Sequence, residues 1–590
     1  MKNLLITILA FFTVLLVNAQ NKVLILGLDG CRSSALLAAN TPNIDTLLNH
    51  ATYSFDALTQ YPTWSGPGWS SMLTGVWEEK HGVLDNSFLG SNYNTYPHFI
   101  KRIEQLYPAK NTASVAQWSP INDNILQSSA DFEINLSQDV DVKTQAVNIL
   151  NNQNPDVLCV HFNLVDAAGH SYGFDPSVPQ YISAIQTADT YIGEILSALR
   201  NRANYNNENW LIILAPDHGG NMDGHGGASI EERNIFTIFH NKNIPANPIT
   251  KTSTNVAMGN ALKLNGTNQY ILPANQTAFN FGSNQDFSVE LRVKYNANNA
   301  TGDAVFIGNK NWYSGSNKGF VISTPTSEVG RWKVNIGDGI VRADLTGSFI
   351  GDNNWHTIAA TFDRNGRMTL YEDGVEAGWE NMSLVGNINS SLPLVIGQDG
   401  TLDYSDWFNG AIGEVRVWNT VLPPAAIAQY ACSSVTPTHP NYANLIAYWK
   451  VNEGTGTVIN EPISGQNAAL VGGTPTWQPD NNMVCNNYQN VPIMPDIAVT
   501  ALAHLCIDAN PAWQLDGHVL VDTQKPTIIA TPDVCQNGIQ TFNVVAGPTG
   551  STYVWTVMGG TVIAGQGTNQ ITVQWSNNTA GTVSVAQTNP

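Results

Sequence analysis

Val23-Leu24-Ile25-Leu26-Gly27-Leu28-Asp29-Gly30 decides the fold. An uncharged apolar run without alternation reads as a strand buried on both faces, as in a parallel sheet covered by helices. The run ends on a carboxylate and a glycine, and the carboxyl ends of such strands are where an open α/β sheet gathers its functional groups. Two further runs repeat the pattern. Asp156 to Leu164 leads into Val165-Asp166-Ala167-Ala168-Gly169-His170, and Trp210 to Ala215 leads into Pro216-Asp217-His218-Gly219-Gly220, with His225 shortly after. Between them, Thr41 and Pro42 supply an N-cap and a first helical position, and Tyr181 to Arg200 is amphipathic. Strands alternating with helices predict a parallel α/β sheet with helices on both faces.

At 590 residues the chain exceeds one hydrophobic core, and roughly three or four domains are expected. Near Thr252 the character turns to β-type alternation with Gly/Asn turns, as in Phe287 to Val293, Thr357 to Phe362 and Met368 to Tyr371, which predicts a sandwich. Helical character returns at Ile493 to Leu505. The economical reading is that 253–487 is inserted into a loop of an α/β domain formed by 20–252 and 488–523, since surface loops tolerate insertions whose ends lie close together. After Lys525-Pro526, the runs Tyr553 to Val557 and Gln570 to Trp575 predict a small Ig-like sandwich over 526–590.

Residues 1–19 read as a signal peptide, with Lys2, an apolar stretch from Leu4 to Val17, and Val17-Asn18-Ala19 as a small-residue cleavage site. No later segment is apolar enough to span a bilayer, so an exported protein is expected, secreted, periplasmic or at the cell surface. The formal charge of −20 disfavours docking to a nucleic-acid backbone or an anionic membrane. It does not exclude an anionic substrate, because bound cations dominate the field inside a site. Of the six cysteines, Cys31, Cys159, Cys432, Cys485, Cys506 and Cys535, none forms a CxxC pair; Cys432 and Cys485 flank one stretch of the β region and are the candidate bridge.

Asp29, Asp166, His170, Asp217, His218 and His225 all follow strand-like runs and can converge on one crevice. Three carboxylates with three imidazoles suit two divalent ions, zinc by the mixed oxygen and nitrogen donors, with a position left open for substrate. The segment Pro62-Thr63-Trp64-Ser65-Gly66-Pro67-Gly68-Trp69-Ser70 puts hydroxyls in a Gly/Pro loop opening a helix, and metal coordination would make such a hydroxyl a nucleophile toward phosphate. Ser65 is the candidate, with Thr63 and Ser70 as rivals. His81-Gly82 reads as a structural turn, His161 as a core histidine, and Arg32 as a possible phosphate contact.

With Thr74-Gly75, His81-Gly82 and Asn86, this set resembles the type I phosphodiesterase/nucleotide pyrophosphatase branch of the alkaline-phosphatase superfamily. The resemblance covers about 21–250, and Pro495 to Thr500 with Leu515-Asp516-Gly517 resembles the superfamily's closing segment. It implies that Asp29, Ser65, Asp217 and His218 hold one zinc and Asp166, His170 and His225 the other. It implies further that Ser65 attacks in line to give a phospho-enzyme, while Asn86 binds a non-bridging phosphate oxygen. Three departures stand out. Threonine is usual where Ser65 stands, the last histidine usually lies much further along the chain than His225, and Trp69 occupies the place of the arginine that closes the sulfatase motif. A phosphomonoesterase on the same core, a sulfatase, and a glycan-binding adhesin without activity remain as rival readings. In the β region, Asn354-Trp355-His356-Thr357, Tyr371 to Gly374 and Gly413 to Trp418 resemble a laminin-G-like, concanavalin A-type jelly roll, which implies a carbohydrate or cell-surface ligand, with a passive spacer as the alternative. The last module resembles a PKD-like domain.

Overall fold

Along β1 (Gln20–Leu28), Val23 and Ile25 enter one apolar core while Leu24, Leu26 and Leu28 enter another, so the strand is buried on both faces. The computed structural model describes residues 20–257, 259–274, 276–299, 302–480, 483–521, 528–530, 538–544, 551–576 and 581–588; the predicted leader and Cys535 lie outside them. The other strands of the first sheet are β2 (Ala51–Leu58), β3 (Thr112–Ala116), β4 (Phe132–Asn135), β5 (Val157–Phe162), β6 (Glu208–Ala215), β7 (Asn234–His240) and β8 (Asn247–Pro248). Their order is β4-β3-β5-β1-β6-β7-β2-β8. The strands from β4 to β6 run parallel, as predicted, but β7 is antiparallel to both β6 and β2. The cause is the connection: the chain from β6 to β7 carries only the single-turn helix Ile230–Arg233 and no crossover helix, so β7 returns in the opposite sense.

Helices Asp139–Asn152 and Pro179–Arg200 cover one face, burying Val142, Ile149, Ile185 and Ile192. Helices Ser65–Thr74, Phe99–Leu106 and Asp496–His504 cover the other with Met72, Leu73, Phe99, Ile497 and Ala501. The helix starting at Asp496 thus closes a core begun almost five hundred residues earlier. Asp516 fastens the same segment, accepting from the Trp77 amide at 2.9 Å and pairing with Lys80.

Between these parts stands a jelly roll of two eight-stranded sheets enclosing Phe287, Phe320, Trp332, Phe362 and Trp449. Its chain enters and leaves through a two-stranded ribbon, Thr252–Val256 antiparallel to Met483–Asn487, with Thr252 opposite Asn487. Cys432 and Cys485 form a disulfide beside the ribbon. Strands near the C-terminus form a four-stranded and a two-stranded sheet around Phe542, Tyr553, Trp555, Ile571 and Val573. Among the described residues, no helix is long and apolar enough to cross a membrane.

Candidate active site

The carboxyl ends of β1, β5 and β6 meet at one crevice. Asp29 follows β1, and Asp217 with His218 follows β6; their donor atoms lie within 4.8 Å of one another. Asp166, His170 and His225 form a second group of the same tightness. Asp166 and His170 sit on a helix, Leu164–Tyr172, one turn apart on the same face. That helix starts where the Asp139 carboxylate accepts from the amides of Asn163 and Leu164 at 3.0 and 2.8 Å.

All three histidines are held in one tautomer. Nδ1 of His170 donates to the Asp223 carbonyl, that of His218 to Gly219 and that of His225 to Thr63, at 2.7 to 2.9 Å. A carbonyl can only accept, so each Nδ1 carries the proton and each Nε2 presents a lone pair to the crevice. The Nε2 atoms of His170 and His225 face one another at 3.0 Å. The carboxylates are arranged likewise, with Asp29 Oδ1, Asp166 Oδ1 and Asp217 Oδ2 buried without a hydrogen-bond partner. Opposed lone pairs and orphaned anionic oxygens are costly unless a cation lies among them, so these residues fit divalent metal ions. Mixed imidazole and carboxylate donors match zinc better than calcium or magnesium.

Burial is the first influence on the protonation of the crevice. Burial, with the Asp29 charge behind it, pushes Asp166 up to about 7. Burial and the charges of Asp29 and Asp166 drive Asp217 well above the carboxylate range. Burial works against the Asp29 charge too, yet the His161 contact outweighs it and holds that carboxyl at about 2. Burial lowers His218, and burial with neighbouring His218 lowers His225 to about 4.

Ser65 opens the helix Ser65–Thr74, its Oγ 3.3 Å from His218 Nε2. Asn86 lies alongside: its Oδ1 accepts from the Gly66 amide at 2.7 Å, which leaves Nδ2 to donate elsewhere. The rival hydroxyls are committed. Thr63 Oγ1 donates to Gly227 O and accepts from Gly226 N, and Ser70 Oγ donates to Gly66 O. His81 bonds Ser71 Oγ under a left-handed Gly82, and Arg32 donates to the Phe174 carbonyl.

One residue read as core belongs to the site. His161 Nδ1 accepts from the Trp118 amide at 3.2 Å, so Nε2 carries the proton and donates to Asp29 Oδ2 at 2.9 Å. Trp69 Nε1 donates to the same oxygen at 3.0 Å. The Trp69 ring reaches it by lying across Gly27, where a Cβ would come within 2.1 Å of the indole. Asp29 is therefore gripped by one oxygen and offers the other.

Comparison with known families matches 23–120 and 104–321 to type I phosphodiesterase/nucleotide pyrophosphatase, which together span half of the chain. The chain belongs to that family. Relatives include an uncharacterized pyrophosphatase/phosphodiesterase of Schizosaccharomyces pombe, 24% identical over 221 residues, 34% of this chain and 45% of the relative. Another is the bis(5'-adenosyl)-triphosphatase of Bos taurus, 25% identical over 219 residues, 34% of this chain and 47% of the relative. The chain thus spans about half the length of the curated relatives it matches. A solved murine ectonucleotide pyrophosphatase/phosphodiesterase 5 aligns at 19% identity and a TM-score of 0.29, covering 34% of this chain and 57% of that one. Beyond the phosphodiesterase match, 265–428 matches the concanavalin A-like lectin/glucanases superfamily and 521–590 a PKD-like domain. A domain family of unknown function matches 435–521.

Proposed function

We propose that this phosphodiesterase-family chain hydrolyses phosphate esters at a two-metal crevice, with Ser65 as the nucleophile. The observation that carries the reading is the gathering of three Nε2 lone pairs and three orphaned carboxylate oxygens in two groups at one crevice, with the Ser65 hydroxyl at a helix start beside His218. Asp29, Ser65, Asp217 and His218 would hold one divalent ion, zinc by its donors, and Asp166, His170 and His225 the other. Bound there, the ions would lower the Ser65 hydroxyl pKa and neutralise the phosphoryl oxygens.

The chain's own groups do the rest. The helix beginning at Ser65 turns its positive end toward the anionic group; the Gly66 amide is held by Asn86 and Pro67 has none, so it acts there by its dipole. Asn86 Nδ2 donates to a non-bridging oxygen, its amide orientation set by Gly66. Ser65 Oγ attacks phosphorus in line, the ester oxygen leaves opposite, and water then displaces the serine from the phospho-enzyme. The catalytic unit on this reading is 20–252 with 488–523, supported by the ribbon at Thr252 and Asn487 and by the packing of Asp496–His504.

The test is hydrolysis of bis-p-nitrophenyl phosphate, p-nitrophenyl phosphate and p-nitrophenyl sulfate with zinc, by the whole chain and by Ser65→Ala. Diester preference is expected, with a fall of roughly 10³-fold or more on the substitution. Monoester preference would move the chain to the phosphatase branch, and no turnover of any ester despite bound zinc would sink the reading.

A saccharide ligand for the jelly roll is the second proposal, supported by a cavity of about 290 Å³ lined by Trp312, Tyr313, Lys333, Arg342, Asp344 and Tyr404. The exposed Tyr313 ring suits the C–H side of a sugar ring and the charged groups its hydroxyls. Retardation of the whole chain in polysaccharide-containing gels is expected; unretarded migration across neutral and acidic polysaccharides would refute it. Export is proposed as well, supported by residues 1–19 and by a disulfide that needs an oxidising compartment. Finding the chain in the cytosolic fraction with residues 1–19 intact would refute export.

A further inference from the structure

We infer that the inserted jelly roll is a structural part of the catalytic centre: its strand Val375–Asn381 is the seat on which the His225 loop and the Ser65 turn are set. This rests on the proposed metal-dependent reading for its catalytic consequence, but the contacts themselves do not.

The loop from Pro216 to Arg233 carries Asp217, His218 and His225 without a long helix to stiffen it. Three bonds tie it to the turn before Ser65: His225 Nδ1 to Thr63 O, Gly226 N to Thr63 Oγ1, and Thr63 Oγ1 to Gly227 O. Loop and turn thus move as one body, and what lies under that body is the jelly roll. Arg233, fully buried, donates through Nε to Ala228 O at 2.7 Å and through Nη1 to the Glu376 carbonyl. A guanidinium holds its donors in one rigid plane, so this links the loop and the strand at fixed spacing. Two residues on, Gly378 is so close that a Cβ would stand 3.1 Å from Ala228 Cβ and 3.3 Å from the Tyr61 ring. The Trp379 ring meets Tyr61 edge to face at 6.2 Å, donates to Glu78 at 3.2 Å, and is covered by the Arg367 guanidinium at 3.6 Å. One strand of the insertion therefore touches Ala228, three residues from His225, and Tyr61, four residues from Ser65. His225 belongs to one ligand group and Ser65 faces the other, so a shift of the seat alters the spacing between the two.

Arg233, Gly378 and Trp379 are positioning residues on this account. The test compares the full chain with Arg233→Lys, Gly378→Ala and Trp379→Ala by hydrogen–deuterium exchange, zinc titration and steady-state hydrolysis. Exchange over 221–229 and 61–65 is expected to accelerate about tenfold or more, with the strands of the first sheet unchanged. One of two zinc equivalents should weaken about tenfold while the other holds. kcat should fall roughly 10- to 100-fold with little change in KM, as misplacement of about 1 Å costs. A seam that merely stabilises the fold would lower the melting temperature and leave site exchange, zinc stoichiometry and kcat per folded molecule as in the parent. Unchanged exchange in both segments in all three variants overturns the inference. If the parent chain hydrolyses nothing, the proposed function fails, while exchange still decides whether the strand seats the loop.

Discussion

Each ligand-type histidine owes its tautomer to a main-chain carbonyl, and Asp29 owes its orientation to side chains. His161 is the one of these partners whose loss is most telling. His161→Phe removes one of the two donors to Asp29 and leaves the Trp118 amide without its acceptor, so the free carboxylate oxygen is aimed by Trp69 alone. Zinc affinity is expected to fall 10- to 100-fold, as for other groups that orient ligands, and competition titration with a chromogenic chelator measures it. Affinity equal to the parent would return His161 to the ordinary core. The ligand-type residues were legible because each follows an apolar run at a strand end. His161 was not, because it lies within such a run. Its role depends on the β1–β5 register that sets Gly27 beside it and on the Trp69 ring crossing that glycine.

At the scale of elements, apolar periodicity located the buried strands and the long helix within a few residues, while two features escaped it. Asp166 and His170 stand on a helix whose first amides are satisfied by Asp139, a cap more than twenty residues away that no local pattern announces. The seam between Glu78 and the strand Val375–Asn381 depends on docking, which sequence periodicity does not encode. Burial, with the charges of Glu79 and Glu376, raises Glu78 to about 8. A carboxyl higher in the folded state than in the unfolded chain subtracts stability as pH rises, here from about 4.5 to about 8, and no further above that. Glu78→Gln keeps an acceptor for Trp379 and removes the titration. The variant is expected to gain on the order of 2 kcal/mol over the parent at pH 8 and little at pH 4.5. Calorimetry at the two pH values checks this, and parallel pH profiles would refute it.

For the whole molecule, composition and the change of pattern near Thr252 pointed to α/β and all-β parts, and the return of helix at Ile493 pointed to an insertion. How the parts meet was not legible, because interfaces are chosen by shape. The Cys432–Cys485 bridge spans 53 residues and fastens the jelly roll to its own exit strand. Loop-closure entropy for that span gives about 4 kcal/mol, so Cys432→Ser with Cys485→Ser should lower the melting transition of the jelly roll, while dithiothreitol lowers only the parent's. Equal transitions in parent and double variant would show the bridge to be idle.

The Asp496–His504 helix completes the core on one face of the first sheet, a core that includes Met72, Leu73 and Ile213, yet it is translated only after the whole jelly roll. At typical ribosomal speeds, roughly ten to fifty seconds separate Pro248 from Met494. During that interval the nascent α/β half carries an open apolar surface, and the jelly roll, whose last strands Thr476–Asp480 and Met483–Asn487 emerge just before Met494, is completed first. Synthesis order therefore makes the insertion the earlier folding unit and the first domain the later one, with the unfinished face as the natural place for a chaperone to hold the chain.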